Sequence, residues 1–159
     1  MLLALALSFS GCGLFSSNRS GKSYVINGHR YYILASAKGF KEKGLASWYG
    51  EPFHGRKTAN GEVYDMNKVS AAHKTLPLGT WVEVKNLENK KSLVTRINDR
   101  GPFVAGRVID LSREAAREMD MIRAGVARVT IRALTDKQAS RLIAQALKRG
   151  DQAAASAGN

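Results

Sequence analysis

Four side chains between residues 58 and 100 have the chemistry and setting for proton transfer. Asp99, in "INDRG", ends an apolar strand-like run, and Arg100 beside it is placed to set its orientation or hold a substrate. Glu62, in "TANGE", follows an Asn-Gly turn that aims its side chain outward, and His73 closes "AAH". Asp65 is a further, weaker acid three residues after Glu62. A carboxyl group that gives up a proton, with an acceptor able to take one back, is what general acid and base work requires. Each residue also has a structural alternative. An aspartate before Arg-Gly-Pro often caps a turn or pairs with its arginine, and a histidine on an apolar stretch is usually a hydrogen-bonded core residue. His29 and His54 are read as non-catalytic. Three dispersed histidines and one cysteine give no ligand spacing such as H-E-x-x-H or C-x-x-C, so no metal and no cofactor are expected.

The elements that must position these groups read as short strands. Residues 46–49, 81–84, 93–97 and 127–134 are β-prone, and "HGRKTANGE", "NLENKK" and "NDRGPF" carry Gly or Asn turn chemistry between them. This is an all-β pattern of the barrel kind. "SREAAREMD" adds a short helix with Ser112 as its N-cap. A second helix over 135–149 opens with Thr135 and Gln138 at capping-box spacing and carries Ala139, Leu142, Ile143, Ala146 and Leu147 on one stripe. Residues 150–159 are expected to fray. Ahead of the barrel, "SYVINGHRYYIL" predicts a hairpin turning at Asn27-Gly28, within a docking segment over 24–43.

At 159 residues the chain accommodates one domain with a core of its own. The net charge of +12, from 25 Lys and Arg against 13 Asp and Glu, favours encounter with a polyanion: nucleic acid, an anionic lipid surface or the bacterial wall. The basic residues are scattered through "RKT", "NKK" and "LKRG", and no nucleic-acid module accompanies them, so nucleic acid is not an expected partner. "MLLALALSFS" is too short for a membrane span, which needs about twenty residues, and suits the apolar region of a secretion signal over 1–11. Gly11-Cys12 then resembles the lipobox of bacterial lipoproteins, in which the cysteine is lipidated and becomes the new amino terminus. Cys12 is the only cysteine, and residues 12–23 read as a lipidated tether. Gly13 after the cysteine favours the outer membrane, facing the periplasm; a plain secretory signal and a free periplasmic protein are the alternative.

"GLASWYG", "TANGE", "AAHKTLPLGT" and "INDRGPF" with "GRVIDLS", in that order, resemble the rare lipoprotein A family over about residues 44–134. Its members are septal-ring-associated, cell-wall lytic transglycosylases with a double-psi β-barrel domain. The resemblance implies a mainly β fold, a six-stranded double-psi β-barrel at 44–134 with one or two short helices. It also implies a groove over one face, where the related expansins and family 45 endoglucanases hold a polysaccharide. The implied activity is endolytic cleavage of peptidoglycan glycan strands, preferably stripped of stem peptides, to 1,6-anhydromuramic acid ends during wall remodelling and daughter-cell separation. In such a reaction the muramic acid C6 hydroxyl replaces water, so one residue can act first as acid and then as base. Asp99 is the first candidate for that work, with Glu62 and His73 tuning protonation and positioning sugar. Asp65 and Arg100 are substrate-binding candidates.

Trp48, Tyr49 and Phe53 offer apolar planes to pyranose rings. Core packing is an equal reading for Trp48, and Tyr49, beside Gly50, is expected to be exposed. Gly50, Gly55, Gly61 and Gly79 are expected at turns with positive φ. Many family members add a carboxy-terminal peptidoglycan-binding repeat domain, for which this chain has no room; division proteins remain possible partners. Three other readings stand beside the transglycosylase: a non-catalytic, expansin-like wall-binding module; a hydrolase in which Glu62 and Asp99 share a water; and a structural partner of the division machinery.

Overall fold

The computed structural model describes residues 19–157. The secretion signal expected over 1–11 and the expected lipidation of Cys12 therefore lie outside the described residues. Strict alternation builds the sheet. In β5 (Trp81–Asn86), Val82 and Val84 point inward while Glu83 and Lys85 point out; in β8 (Val126–Leu134), Ala127, Val129 and Ile131 do the same against Arg128 and Arg132. With β3 (Lys41–Tyr49), β4 (Ala71–His73), β6 (Ser92–Asp99) and β7 (Arg107–Ser112) they close a six-stranded barrel in the order β3-β7-β4-β6-β5-β8. The β3/β7 and β4/β6 pairs are parallel and the other four antiparallel. Closure leaves no edge in the barrel, and its centre is filled by Val82, Val84, Ile97, Ile109, Leu111, Val129 and Ile131.

The caps are those expected. The Ser112 hydroxyl accepts from Ala115 N at the start of α1 (Arg113–Glu118), and Thr135 and Gln138 bond reciprocally at the start of α2 (Asp136–Ala157). Asn27 and Gly28 both take positive φ between β1 (Arg19–Ile26) and β2 (His29–Leu34), the geometry a two-residue hairpin loop needs.

Boundaries differ in three places. β1 starts at Arg19, inside the segment read as tether, because Arg19 pairs with Leu34 beyond an irregularity that ends at the Ser23–Tyr32 pair. The barrel starts at Lys41, since Lys41, Glu42 and Lys43 pair with β8 despite their charge; one face of an antiparallel pair tolerates polar side chains. α2 is not short and continues past Gly150 to Ala157: Gly costs only about 1 kcal/mol in a helix, and the alanine-rich residues after it favour helix. Among the described residues no helix is long and apolar enough to cross a membrane.

Gly44, the first residue of "GLASWYG", is fixed by close approach and not by backbone conformation. A Cβ there would lie 2.5 Å from Val108 Cγ1 of the neighbouring strand, closer than packed atoms allow. Gly44→Ala is expected to cost about 2 kcal/mol, and adding Val108→Ala should return part of that loss; a urea melt of the single and double variants checks it.

Candidate active site

Strand register brings together residues that the sequence separates widely. Ser47 on β3 pairs with Asp110 on β7, Asp110 with Ala72 on β4, and Ala72 with Asp99 on β6. Cross-strand partners share a face, so these four form one row across the outside of the barrel. The next row, Trp48, Leu111, Ala71 and Ile97, faces the core. From Ile97, plain alternation would turn Asp99 inward. It does not, because Ala71 opposes Ile97 while Ala72 opposes Asp99, leaving Asn98 as an extra residue. That bulge re-aims Asp99 onto the outer row.

The "TANGE" turn holds Asp99 in place. Ala59 N and Arg100 N both donate to Asp99 Oδ1, at 2.9 and 2.8 Å, so Oδ2 is the oxygen left for chemistry. The turn is itself a closed unit: Gly61 takes φ +89°, Gly61 N donates to Thr58 O, and the Asn60 side chain accepts from the Thr58 hydroxyl and Glu62 N. Asn60 N donates to Asn98 O, which docks the turn on the bulge. Glu62 then reaches back to β6, accepting from Arg96 and, at 3.0 Å, from Asn98 Nδ2. The Asn98 hydrogen bond, supported by Asn60 and Arg96 against a slight burial penalty, holds its carboxyl below the ordinary Glu value. Glu62 and Asp65 line a cleft of about 220 Å³ with Arg96 and Asn98.

Asp110 escaped the sequence reading. Its side chain is 16% exposed, accepts from the Ser47 hydroxyl and lies 3.5 Å from Arg107. Burial pushes its carboxyl up, against the opposing pulls of Ser47, Arg107 and Lys74. Gly101 covers it without a side chain, and a Cβ there would stand 3.7 Å from Asp110 Oδ2. Tyr49, two residues after Ser47 on β3, shares that outer face. Burial first, then the charges of Asp99 and Asp110 and the neighbouring Tyr64 phenol, hold its hydroxyl far above its ordinary value. Ser70 lies close enough to that hydroxyl to lower it in part, although among the described residues no partner meets it in good hydrogen-bond geometry. Tyr64 stacks on Tyr49 at 4.4 Å and donates to Tyr49 O; burial lifts the Tyr64 phenol to about 12. Polar groups of both signs thus converge around a buried donor.

Several expected site residues lie elsewhere. His73 shares its row with Ile109 and Ala46 on the core face, opposite Asp99. Its ring is 3% exposed, and both nitrogens are taken: Nε2 meets Glu42 Oε2 at 2.9 Å, and Nδ1 accepts from Thr75 N and Leu76 N. Accepting two N–H groups assigns Nδ1 as unprotonated and Nε2 as the donor. In this geometry His73 fixes the turn after β4. His73→Ala would leave those two amides and Glu42 unpartnered and should cost about 3 kcal/mol, read as a lowered urea midpoint.

Trp48 also lies on the core side and packs against the core cluster. Tyr49 is mostly buried, not an exposed platform, because Tyr64 and Phe53 enclose it. Arg100 donates through Nη1 to His73 O and Leu76 O, at 3.1 and 2.6 Å, so that nitrogen clamps backbone. Asp65 Oδ1 accepts from Asn67 N, capping its own turn, at the rim of the cleft and not beside Asp99. Of the four glycines, Gly55, Gly61 and Gly79 have positive φ; Gly50 does not, and its missing Cβ instead makes room for the Trp48 ring at 3.2 Å.

Residues 41–131 match the family described as lytic transglycolase. Over 114 residues the chain is 53% identical to the endolytic peptidoglycan transglycosylase RlpA of Vibrio cholerae, covering 72% of this chain and 43% of that protein. It is 46% identical over 121 residues to the protein of that name from Neisseria meningitidis, covering 76% and 51%. The chain thus spans about half or less of the length of these relatives. Among solved structures it is similar to the Streptomyces papain inhibitor, with a TM-score of 0.51 and 23% identity over 61% of this chain and 96% of that one, a likeness of fold alone. The fold is the double-psi barrel that the motifs imply.

Proposed function

The chain belongs to the lytic transglycolase family, and from that premise we propose that its barrel cleaves peptidoglycan glycan strands without water, leaving 1,6-anhydromuramic acid ends. One observation carries the reading: Asp99 and Asp110 flank Ala72 on the outer face of the barrel, two strand spacings or about 9.5 Å apart at the backbone. Two carboxyl groups in unlike environments are how a site runs acid and base steps at one pH. Asp110, whose burial favours its protonated form, gives a proton to the glycosidic oxygen as the C1–O bond breaks. The C6 hydroxyl of the same muramic residue forms the new bond to C1, and Asp99 Oδ2 takes the hydroxyl proton. Exchange with solvent restores both groups, and no water is consumed. The two proton jobs that sequence reasoning gives to Asp99 alone are thereby divided.

Glu62, held ionised by Asn98, Asn60 and Arg96, accepts hydrogen bonds from sugar hydroxyls at the cleft rim and does not donate the catalytic proton. This disfavours the hydrolase in which Glu62 is the acid. His73 and Arg100 act through the turn they brace, as positioning residues. A lipid on Cys12 would hold the barrel at the outer membrane facing the wall, and the net charge of +12 suits an anionic polymer. Strands without stem peptides are the preferred substrate in this reading.

Mass spectrometry of products from intact sacculi and from peptide-stripped strands tests the proposal. Fragments with anhydro ends, one water lighter than hydrolysis products, support it. Water-added fragments would assign a hydrolase, and binding without release on either substrate would assign a wall-binding module.

A further inference from the structure

The β1–β2 hairpin joins no barrel strand and precedes the residues that match the family. It is held at one end of the barrel by Leu34 N donating to Thr75 O at 2.9 Å and Tyr24 Oη donating to Lys74 O at 2.8 Å. Aromatic packing adds to these ties. Tyr24 and Tyr31, directly paired across the hairpin, stack at 5.2 Å, and Phe103 packs against them at 6.2 and 5.4 Å. Phe103 stays 37% exposed and Val104 beside it 51% exposed.

This ring cluster stands on the loop that leaves Asp99. Arg100, clamped to backbone carbonyls, lies 5.8 Å from the centre of the Tyr24 ring, and Phe103 follows three residues later. Four residues of chain from Asp99 reach at most about 14 Å, so Phe103 stands within the length of an extended polysaccharide held at Asp99. Rings fixed before binding offer apolar area at little entropic cost. The axial C–H face of a pyranose is the complement of such a plane.

We propose that Tyr31 and Phe103, backed by Tyr24, form a carbohydrate-stacking subsite that extends the groove beyond Asp99 and holds a pyranose ring of the strand being cut. This rests on the glycan-cleaving reading above. The hairpin is then part of the substrate groove as well as a docking segment.

The test uses the full chain with peptide-stripped glycan strands, comparing wild type, Phe103→Leu and Phe103→Trp. Leucine keeps an apolar contact for the hairpin but removes the ring; tryptophan keeps a ring. Phe103→Leu should bind long strands about fivefold more weakly, the loss of one aromatic contact, with the change in KM, while Phe103→Trp binds within about twofold of wild type. Hydrogen exchange at the Leu34 amide should stay slow in both, reporting a docked hairpin. Wild-type affinity in Phe103→Leu would overturn the subsite, as would weakening that appears only together with fast exchange at Leu34. If wild type forms anhydro ends while Phe103→Leu is unaffected, the subsite alone fails; if wild type neither binds nor cuts strands, both readings fail.

Discussion

Asp99→Asn is expected to lower turnover of peptide-stripped strands about 10³-fold, within the range lost when a general base is removed, while the thermal midpoint moves by no more than about 2 °C. The two halves of that expectation have separate causes. Asparagine keeps an oxygen at the position that accepts from Ala59 N and Arg100 N, so the "TANGE" turn stays docked. It cannot take up the C6 hydroxyl proton. The loss should persist on an aryl glycoside of the same sugar, because an activated leaving group relieves the need for an acid and not for a base. Turnover within tenfold of wild type would remove Asp99 from the chemistry. A collapse of the midpoint would mean that the carboxylate charge holds the turn, which its two backbone donors do not require.

Asp99 was legible in the sequence because an acid that ends an apolar strand beside turn residues has few places to go. What the sequence does not carry is the bulge. Read with strict alternation, Ile97 facing the core puts Asp99 there too, and only the extra residue Asn98 corrects it. The same dependence on register explains the displaced candidates. His73 and Trp48 stand within a few residues of outer-face positions, yet a period of two places them on the inner face. β4 is not legible as a strand because three residues, Ala-Ala-His, carry no periodicity of their own. Hairpin and helix caps were readable because their chemistry is local: Asn27-Gly28, Ser112, and Thr135 with Gln138 each act within a few residues. Asp110 is the instructive omission. It sits in "RVIDLS", whose aliphatic residues suggest core, but a single acid between Ile109 and Leu111 is the residue that alternation sends to the other face. That signal was available and pointed to the carboxyl group that burial perturbs.

Asp110→Asn separates the acid from the base. Turnover of natural strands should fall about 10²- to 10³-fold, and an aryl glycoside with a good leaving group should recover most of that loss, unlike in Asp99→Asn. Stability supplies an independent readout with a defined sign. Burial raises the Asp110 carboxyl above its unfolded value, so the folded state binds the proton more tightly than the unfolded chain. Its favourable contribution is fully present below the unfolded pKa and is lost as pH rises through the folded one. Asparagine resembles the protonated form and carries no such dependence, so the stability of Asp110→Asn relative to wild type should increase as pH rises above the ordinary Asp range. The alkaline limb of wild-type kcat/KM, where a general acid loses its proton, should follow the same titration and be absent from the variant's profile on the aryl substrate. If the relative stability is flat with pH, Asp110 holds its proton no more tightly in the fold than in the unfolded chain, Ser47 and Arg107 offsetting its burial. It could not then be the acid, and both proton transfers would return to Asp99.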